Sequence, residues 1–381
     1  MATGVFFSVA IGWWAAATLV QWTSAALGRR RPLTARRGRR AADFSIVAPM
    51  AGPRDASEDY VRNLAELAAS GAEVLICVTS EHDAAVALTR RLWPEAPILV
   101  GSDTTFNPKL NNVRKGLEAA SRPFVVLCDA GIALTAADLE TAAMQLTDRV
   151  GLVLALKVGA APGNFAAEME CAYINGHQAR FLMAADRLGM PVASGGVTVL
   201  TRDVLDRIGG HQGFLNYLAD DYSVVRTVRD RLRQQTQLAP YVLRLPVGDR
   251  HWADVWKRQV RWGSTRLNLA REVSALVLLE PVIGWLASAI ALVAALAVSG
   301  VGLAWTVAAL AVHTAAWLAA EAWFLAGFGL PFGPRAWAAA LAREALAPLL
   351  VSQAWLGRRR IDWRGTDLAA GWPAARDGTD R

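Results

Sequence analysis

The chain has 381 residues, with 40 Lys and Arg against 33 Asp and Glu, a formal net charge of +7. Apolar residues reach 54% and charged residues only 19%, which excludes a disordered chain, since that needs low hydrophobicity and high charge. The apolar excess comes in blocks, which argues against a wholly soluble enzyme, and fifteen Trp against five Tyr points to membrane interfaces, where indole rings gather. Cys77, Cys128 and Cys171 lack any CxxC or His spacing. They read as small core residues in a reducing compartment, not as disulfides or a zinc site.

Met1–Gly28 contains no charged residue. As a helix it spans roughly 42 Å at ~1.5 Å per residue, enough to cross a hydrocarbon core. A secretory signal would carry positive charge before its apolar run. Here the charge follows, at Arg29, Arg30, Arg31, Arg36, Arg37, Arg39 and Arg40. Positive charge marks the cytoplasmic side, so the segment reads as an anchor with its N-terminus outside. A basic run beside a membrane span fits anionic lipid headgroups better than nucleic acid.

Next the period changes. Short apolar runs at Phe44–Pro49, Val74–Val78, Pro97–Val100, Phe124–Cys128 and Leu152–Leu156 read as strands. Helical patterns at Ser57–Ser70, Ala84–Trp93, Lys109–Ala120 and Ala136–Leu146 lie between them. Such alternation predicts an α/β domain with a mostly parallel sheet covered on both faces. Ligands of such sheets bind beyond the carboxyl ends of the strands, where Asp83 and Asp129 fall. A second apolar block, Val273–Pro334, is divided at Ser299-Gly300-Val301-Gly302 into two expected spans, roughly 275–299 and 301–327. A further helical stretch, Ala336–Leu356, contains Arg343 and Glu344 and ends in Arg358-Arg359-Arg360. A third full crossing there would put that Arg run outside, so an interfacial or re-entrant helix is expected.

No GxGxxG follows the first strand and no GxxxxGK[ST] occurs, which disfavours a dinucleotide dehydrogenase and a P-loop NTPase. Carboxylates at strand ends suit another task, holding a divalent metal on a diphosphate. Four features recur in order: Asp83, in Ser80-Glu81-His82-Asp83; Asp129, in Cys128-Asp129-Ala130-Gly131; Asp221, in Ala219-Asp220-Asp221-Tyr222; and Arg258-Gln259-Val260-Arg261-Trp262. The ordered set of three aspartates and (Q/R)xxRW resembles the membrane-bound family-2-type glycosyltransferases with a GT-A catalytic domain, and within them the ceramide glucosyltransferases. Asn107-Pro108-Lys109-Leu110-Asn111-Asn112, Leu205-Asp206-Arg207-Ile208-Gly209-Gly210, Glu280-Pro281 and Ile361-Asp362-Trp363-Arg364-Gly365 support it. The resemblance covers about residues 1–365.

The resemblance implies a GT-A (nucleotide-diphospho-sugar transferase) domain flanked by N- and C-terminal transmembrane helices. It implies Asp83 on the uridine of a UDP-sugar donor, Asp129 on a divalent metal (Mg or Mn) and the donor diphosphate, and Lys109 on the nucleotide or a phosphate. Gly131 stands where the common DxD form has a second Asp, which leaves one fewer carboxylate for the metal. Asp221 is the expected general base toward a lipid hydroxyl, with inversion at the sugar carbon, and Asp220 is its alternative. Arg258, Arg261 and Trp262 are expected over the diphosphate and acceptor, and His177 is a candidate for lining the acceptor pocket. The bland readings stand beside these: the aspartates as helix caps, Trp252–Trp262 as an amphipathic helix at headgroup level, His82, His177 and His251 as structural or solvated, and Ser194-Gly195-Gly196 as a close-approach turn.

The expected organisation is an anchor at 1–28, a basic linker at 29–42, a cytosolic transferase domain at 43–250 and an interfacial helix at 251–272. Two membrane helices follow at 273–328, an interfacial or third membrane helix at 329–365 and a mobile tail at 366–381. The expected activity is glucose transfer from UDP-glucose to the primary hydroxyl of ceramide. Rivals are a hopanoid-lipid transferase using UDP-N-acetylglucosamine, a processive polysaccharide synthase, which needs more spans, and a non-catalytic membrane scaffold, which leaves the acidic set unexplained. The Ala- and Arg-rich composition suggests a bacterial inner membrane.

Overall fold

The apolar runs form a seven-stranded sheet: β1 (Phe44–Pro49), β2 (Glu73–Val78), β3 (Ile98–Val100), β4 (Phe124–Cys128), β5 (Val150–Pro162), β6 (Gly196–Thr201) and β7 (Gln235–Gly248), in the order β3-β2-β1-β4-β6-β5-β7. This structure is a computed structural model, and it describes residues 2–29, 40–52, 57–101, 103–363 and 366–368. Most of the Arg29–Arg40 run and the tail beyond residue 368 lie outside the described residues. The chain divides into two compact units, one taking in residues 31–158, 189–245 and 362–381 and the other 1–30, 159–188 and 246–361.

In the first unit, β1 pairs in parallel with β2 and β4, and β2 with β3. The expected helices appear at Glu58–Ala69, Ala84–Leu92, Pro108–Ala119 and Ala136–Ala143. Local chemistry sets their starts. Ser57 accepts from the Tyr60 amide, Asn107 from those of Lys109 and Leu110, and Thr135 forms a reciprocal capping box with Asp138. Strand β6, absent from the sequence expectation, runs antiparallel to β4 and β5 and makes the sheet mixed. Phe44, Ile46, Val126, Val153 and Val199 are fully buried in one core, each worth about 1.5–3 kcal/mol relative to exposure. Cys77 and Cys128 are free and buried there, as small core residues.

The second unit is helical. Thr3–Gly28 and Leu303–Ala326 are long and apolar enough to cross a membrane. The other expected span, 275–299, is instead two helices, Arg271–Ile283 and Trp285–Val298, bent by 45°. Pro281 removes an amide donor inside the first helix, and Gly284 is extended at the break. The freed amide of Trp285 donates to Glu344 Oε2 at 2.9 Å, so a carboxylate caps the second helix at its positive end.

Glu344 comes from Pro334–Gly357, which is one continuous helix. Its neighbour Arg343 grips Glu321 of Leu303–Ala326 through two bonds of 3.0 and 2.9 Å and reaches Glu344 at 2.7 Å. All three are buried. Within the apolar helices several polar groups find partners too. Trp14 Nε1 donates to His313 Nδ1 at 3.2 Å, which leaves the ring proton on Nε2, 3.0 Å from Ser288 Oγ. Gln21 Nε2 donates to the Trp317 carbonyl at 3.1 Å. Unpaired polar groups are costly in hydrocarbon, so these bonds fix which helix faces meet. Replacing Arg343 by Ala strands two buried carboxylates and should destabilise the protein by about 3–5 kcal/mol. Thermal unfolding of the detergent-solubilised protein measures this, and an unchanged midpoint refutes it.

Candidate active site

Asp129 follows the last residue of β4, and its amide donates to the Gly196 carbonyl at 2.8 Å. The antiparallel strand β6 therefore fixes where this carboxylate points. Lys109 sits in the first turn of Pro108–Ala119, held by the Asn107 cap. Its ammonium lies 2.8 Å from Asp129 Oδ1 and 2.8 Å from Asp220 Oδ2. A second lysine, Lys157 on β5, stands 3.5 Å from Asp129 Oδ2.

Asp220 and Asp221 open the helix Asp220–Leu232 in its first turn, after the N-cap Ala219, where acids suit the dipole. Asp221 Oδ1 accepts from the Tyr222 amide at 2.8 Å. Gly195 shows how closely the groups converge. A Cβ there would lie 3.0 Å from Asp129 Oδ2, 3.5 Å from Lys157 Nζ and 4.0 Å from Asp221 Oδ2. The Gly195-Gly196 pair is thus the close approach that the sequence suggested, and its missing side chain leaves space among three charged groups.

The electrostatics differ sharply within this cluster. Burial works against the Asp129 carboxylate, but Lys109 and Lys157 outweigh it and hold the group below its ordinary value. Burial also works against the Lys109 ammonium, and Asp129 and Asp220 together hold it above the usual lysine range. Asp221 goes the other way. Burial, then the neighbouring Asp220 carboxylate, push it up to about 6, only partly relieved by Lys109. One carboxylate is locked as an anion while another is poised as a proton acceptor, the separation of roles expected of acid–base sites.

The remaining sequence candidates fall elsewhere. Asp83 caps the helix Ala84–Leu92 through the Ala85 amide and accepts from the Gly52 amide at 2.8 Å, tying down the loop after β1. Asn111 and Asn112 hold the neighbouring loops through Thr105 and Thr79. His177, Arg258, Arg261 and Trp262 belong to the helical unit. There His177 Nε2 is 3.3 Å from Glu280, which Arg266 also pairs. Arg258 pairs with buried Glu170, as does Arg250 at 3.1 Å. Trp262 is half-buried. Among the described residues no group of three or more His, Cys, Asp or Glu gathers to hold a metal ion. The metal expected at Asp129 therefore has one carboxylate there, already faced by two ammonium groups. Lys157 was missed in the sequence. Its signal was a lone charge inside the apolar run VGLVLALKVGA.

Carboxylates and lysines thus gather near the strand ends of an α/β sheet, where the ligands of such sheets bind. The chain belongs to glycosyl transferase family 21, whose model matches residues 5–375. It is similar to ceramide glucosyltransferase 1 of Caenorhabditis elegans, 26% identical over 199 residues that make up 49% of this chain and 42% of that protein. It is also similar to ceramide glucosyltransferase 3 of the same animal, 25% identical over 49% of this chain and 42% of the relative. The matched region thus spans less than half the length of these relatives. Among solved structures it shares its fold with a mannosyltransferase from Pyrobaculum calidifontis in complex with GDP-Man and Mn2+, at a TM-score of 0.51 and 19% identity, covering 84% of this chain and 97% of that one.

Crowding at Gly195 gives a direct check. Gly195→Ala places a methyl against the Asp129 carboxylate and should lower sugar transfer about a hundredfold, the scale of a 1 Å misplacement, while the unfolding midpoint stays near that of the parent. Full activity in the variant would show that the space is not used.

Proposed function

We propose that this enzyme is an inverting glycosyltransferase that moves glucose from UDP-glucose to the primary hydroxyl of ceramide, giving a β-linked glucosylceramide. The observation that carries this reading is the pairing of Asp221, pushed up to about 6, with the Lys109-held carboxylate of Asp129. The first suits a base toward a hydroxyl, and the second suits a diphosphate leaving group. The family and its ceramide glucosyltransferase relatives support the substrates.

In this reading the donor lies with its diphosphate at Lys109 and Asp129 and its uridine toward Asp83. The acceptor oxygen attacks the sugar C1 from the side opposite the diphosphate. Its proton passes to Asp221, the C1–O bond to the phosphate breaks, and that electron pair leaves with UDP. In-line displacement inverts C1, so an α-linked donor gives a β-linked product. Asp220 keeps Lys109 in register at 2.8 Å and raises the basicity of Asp221. By resemblance alone, Arg258, Arg261, Trp262 and His177 are proposed to serve the diphosphate and acceptor.

A divalent cation, Mg or Mn, is part of the proposal. Asp129 offers one carboxylate at this point, faced by Lys109 and Lys157, and such ions can take a single carboxylate together with substrate phosphates. Asp129 would hold it, and it would supply charge stabilisation of the departing diphosphate. The bilayer partner follows from the apolar helices. We place the catalytic unit on the cytosolic side, in a bacterial inner membrane, from the charge that follows the first span.

Two outcomes are expected. A base must be deprotonated, so kcat/KM should rise with pH through about 6 and level off above it. Asp220, Lys109 and Asp129 are the charged groups acting on Asp221, and a pH profile flat from 5 to 8 would count against that role. Asp221→Asn should lower kcat by about 10²–10⁴-fold while UDP binding survives, measured by turnover beside calorimetry. The substrates are settled by mass spectrometry of the lipid product when the purified enzyme is offered UDP-glucose and UDP-N-acetylglucosamine with ceramide and hopanoid acceptors. A hopanoid product without glucosylceramide refutes the assignment.

A further inference from the structure

Lys157 belongs to none of the motifs, yet the fold places it in the centre of the charged cluster. The residue before it, Leu156, pairs with Gly196 across β5 and β6. That register brings its ammonium to 3.5 Å from Asp129 Oδ2, while Lys109 takes Oδ1 at 2.8 Å. Lys157 is 23% exposed, so it is confined without being sealed from a ligand. Gly195 approaches it closely: a Cβ there would come 3.5 Å from Lys157 Nζ and 3.0 Å from Asp129 Oδ2, so a side chain at this position would crowd both groups.

Charge counting says what that ammonium is for. Asp129 and Asp220 carry two negative charges, and Lys109 and Lys157 carry two positive ones, so this part of the cluster is balanced before any ligand arrives. A nucleotide sugar brings two negative charges on its diphosphate, and a divalent ion at Asp129 brings two positive. These groups alone then sum to zero with Lys157 and to minus one without it, and the deprotonated Asp221 beside them lowers each sum by one, so Lys157 lessens a negative excess. An uncompensated charge in a buried place is strongly disfavoured. The imbalance also grows as the sugar departs and the diphosphate gains a further negative charge.

We propose that Lys157, held 3.5 Å from Asp129 Oδ2 and partly exposed, is a donor-binding residue that contacts a diphosphate oxygen of the nucleotide sugar. This rests on the reading that the donor lies at Asp129. It adds a residue to which no sequence motif points, and it makes binding of the diphosphate partly independent of the divalent ion.

The test is calorimetric titration of the full-length protein in detergent with UDP and with uridine, each in Mn2+ and in EDTA. The parent is compared with Lys157→Met and Lys157→Arg. A charge-assisted hydrogen bond corresponds to at least about a tenfold change in affinity. Lys157→Met should weaken UDP by that factor in Mn2+ and by more in EDTA, with uridine binding changed less than about twofold. Lys157→Arg should restore most of the UDP affinity. Unchanged UDP affinity in Lys157→Met overturns the proposal, and so does an equal loss for UDP and uridine, which would mark a merely structural lysine. A parent protein that binds neither UDP nor GDP, even with Mn2+, would sink the donor reading together with this one.

Discussion

The site depends on buried carboxylates being neutralised unequally. Asp129, Asp220 and Asp221 lie close together in a poorly solvated part of the sheet unit, and three bare anions there would repel one another. Lys109 resolves this by bridging Asp129 and Asp220 at 2.8 Å each. It leaves Asp221 as the acid with the least compensation, and that residue is pushed up to about 6. The same arrangement that lets the fold tolerate the cluster therefore separates a firmly held anion, Asp129, from a carboxylate of raised proton affinity, Asp221, which is the division that the proposed mechanism uses.

A related rule governs the helical unit. Apolar helices leave polar groups unpaired only at a cost, and several of them here select a neighbour. The Arg343 triad ties the Pro334–Gly357 helix to Leu303–Ala326 and, through Glu344, caps the broken pair at Trp285. His313 joins Trp14 to Ser288. Pro281 and Glu280, which the sequence offered only as a point of family resemblance, acquire physical roles here. Pro281 lies just before the break, and Glu280 gathers Arg266 and His177.

Much of the sheet unit was legible because its signals are local. Apolar runs such as FVVLC, with caps at Ser57, Asn107 and Thr135, specify strand and helix positions through neighbours only a few residues away. Strand β6 was not legible. Gly196–Thr201 follows the helix Arg180–Arg187, as a parallel strand would, and its antiparallel place between β4 and β5 is a choice made by distant strands. The broken span was missed for a similar reason. A hydropathy pattern reads Pro281 and Gly284 as tolerable in a membrane helix, and it contains no information about the Glu344 carboxylate that stabilises the break.

The sequence by itself determined the kinds of chemistry available. It supplied acids after two strand ends, a lysine in NPK, glycines at 131 and 195, and apolar blocks long enough for a bilayer, since residue type and short-range period depend on nothing else. Tertiary structure decided how those groups share charge. It set Asp83 to hold a loop and Arg258 to pair with Glu170, and it drew Lys157 out of an apolar strand to face Asp129. Such assignments depend on distances between residues far apart in the chain, and those exist only after strands β4, β5 and β6 have paired.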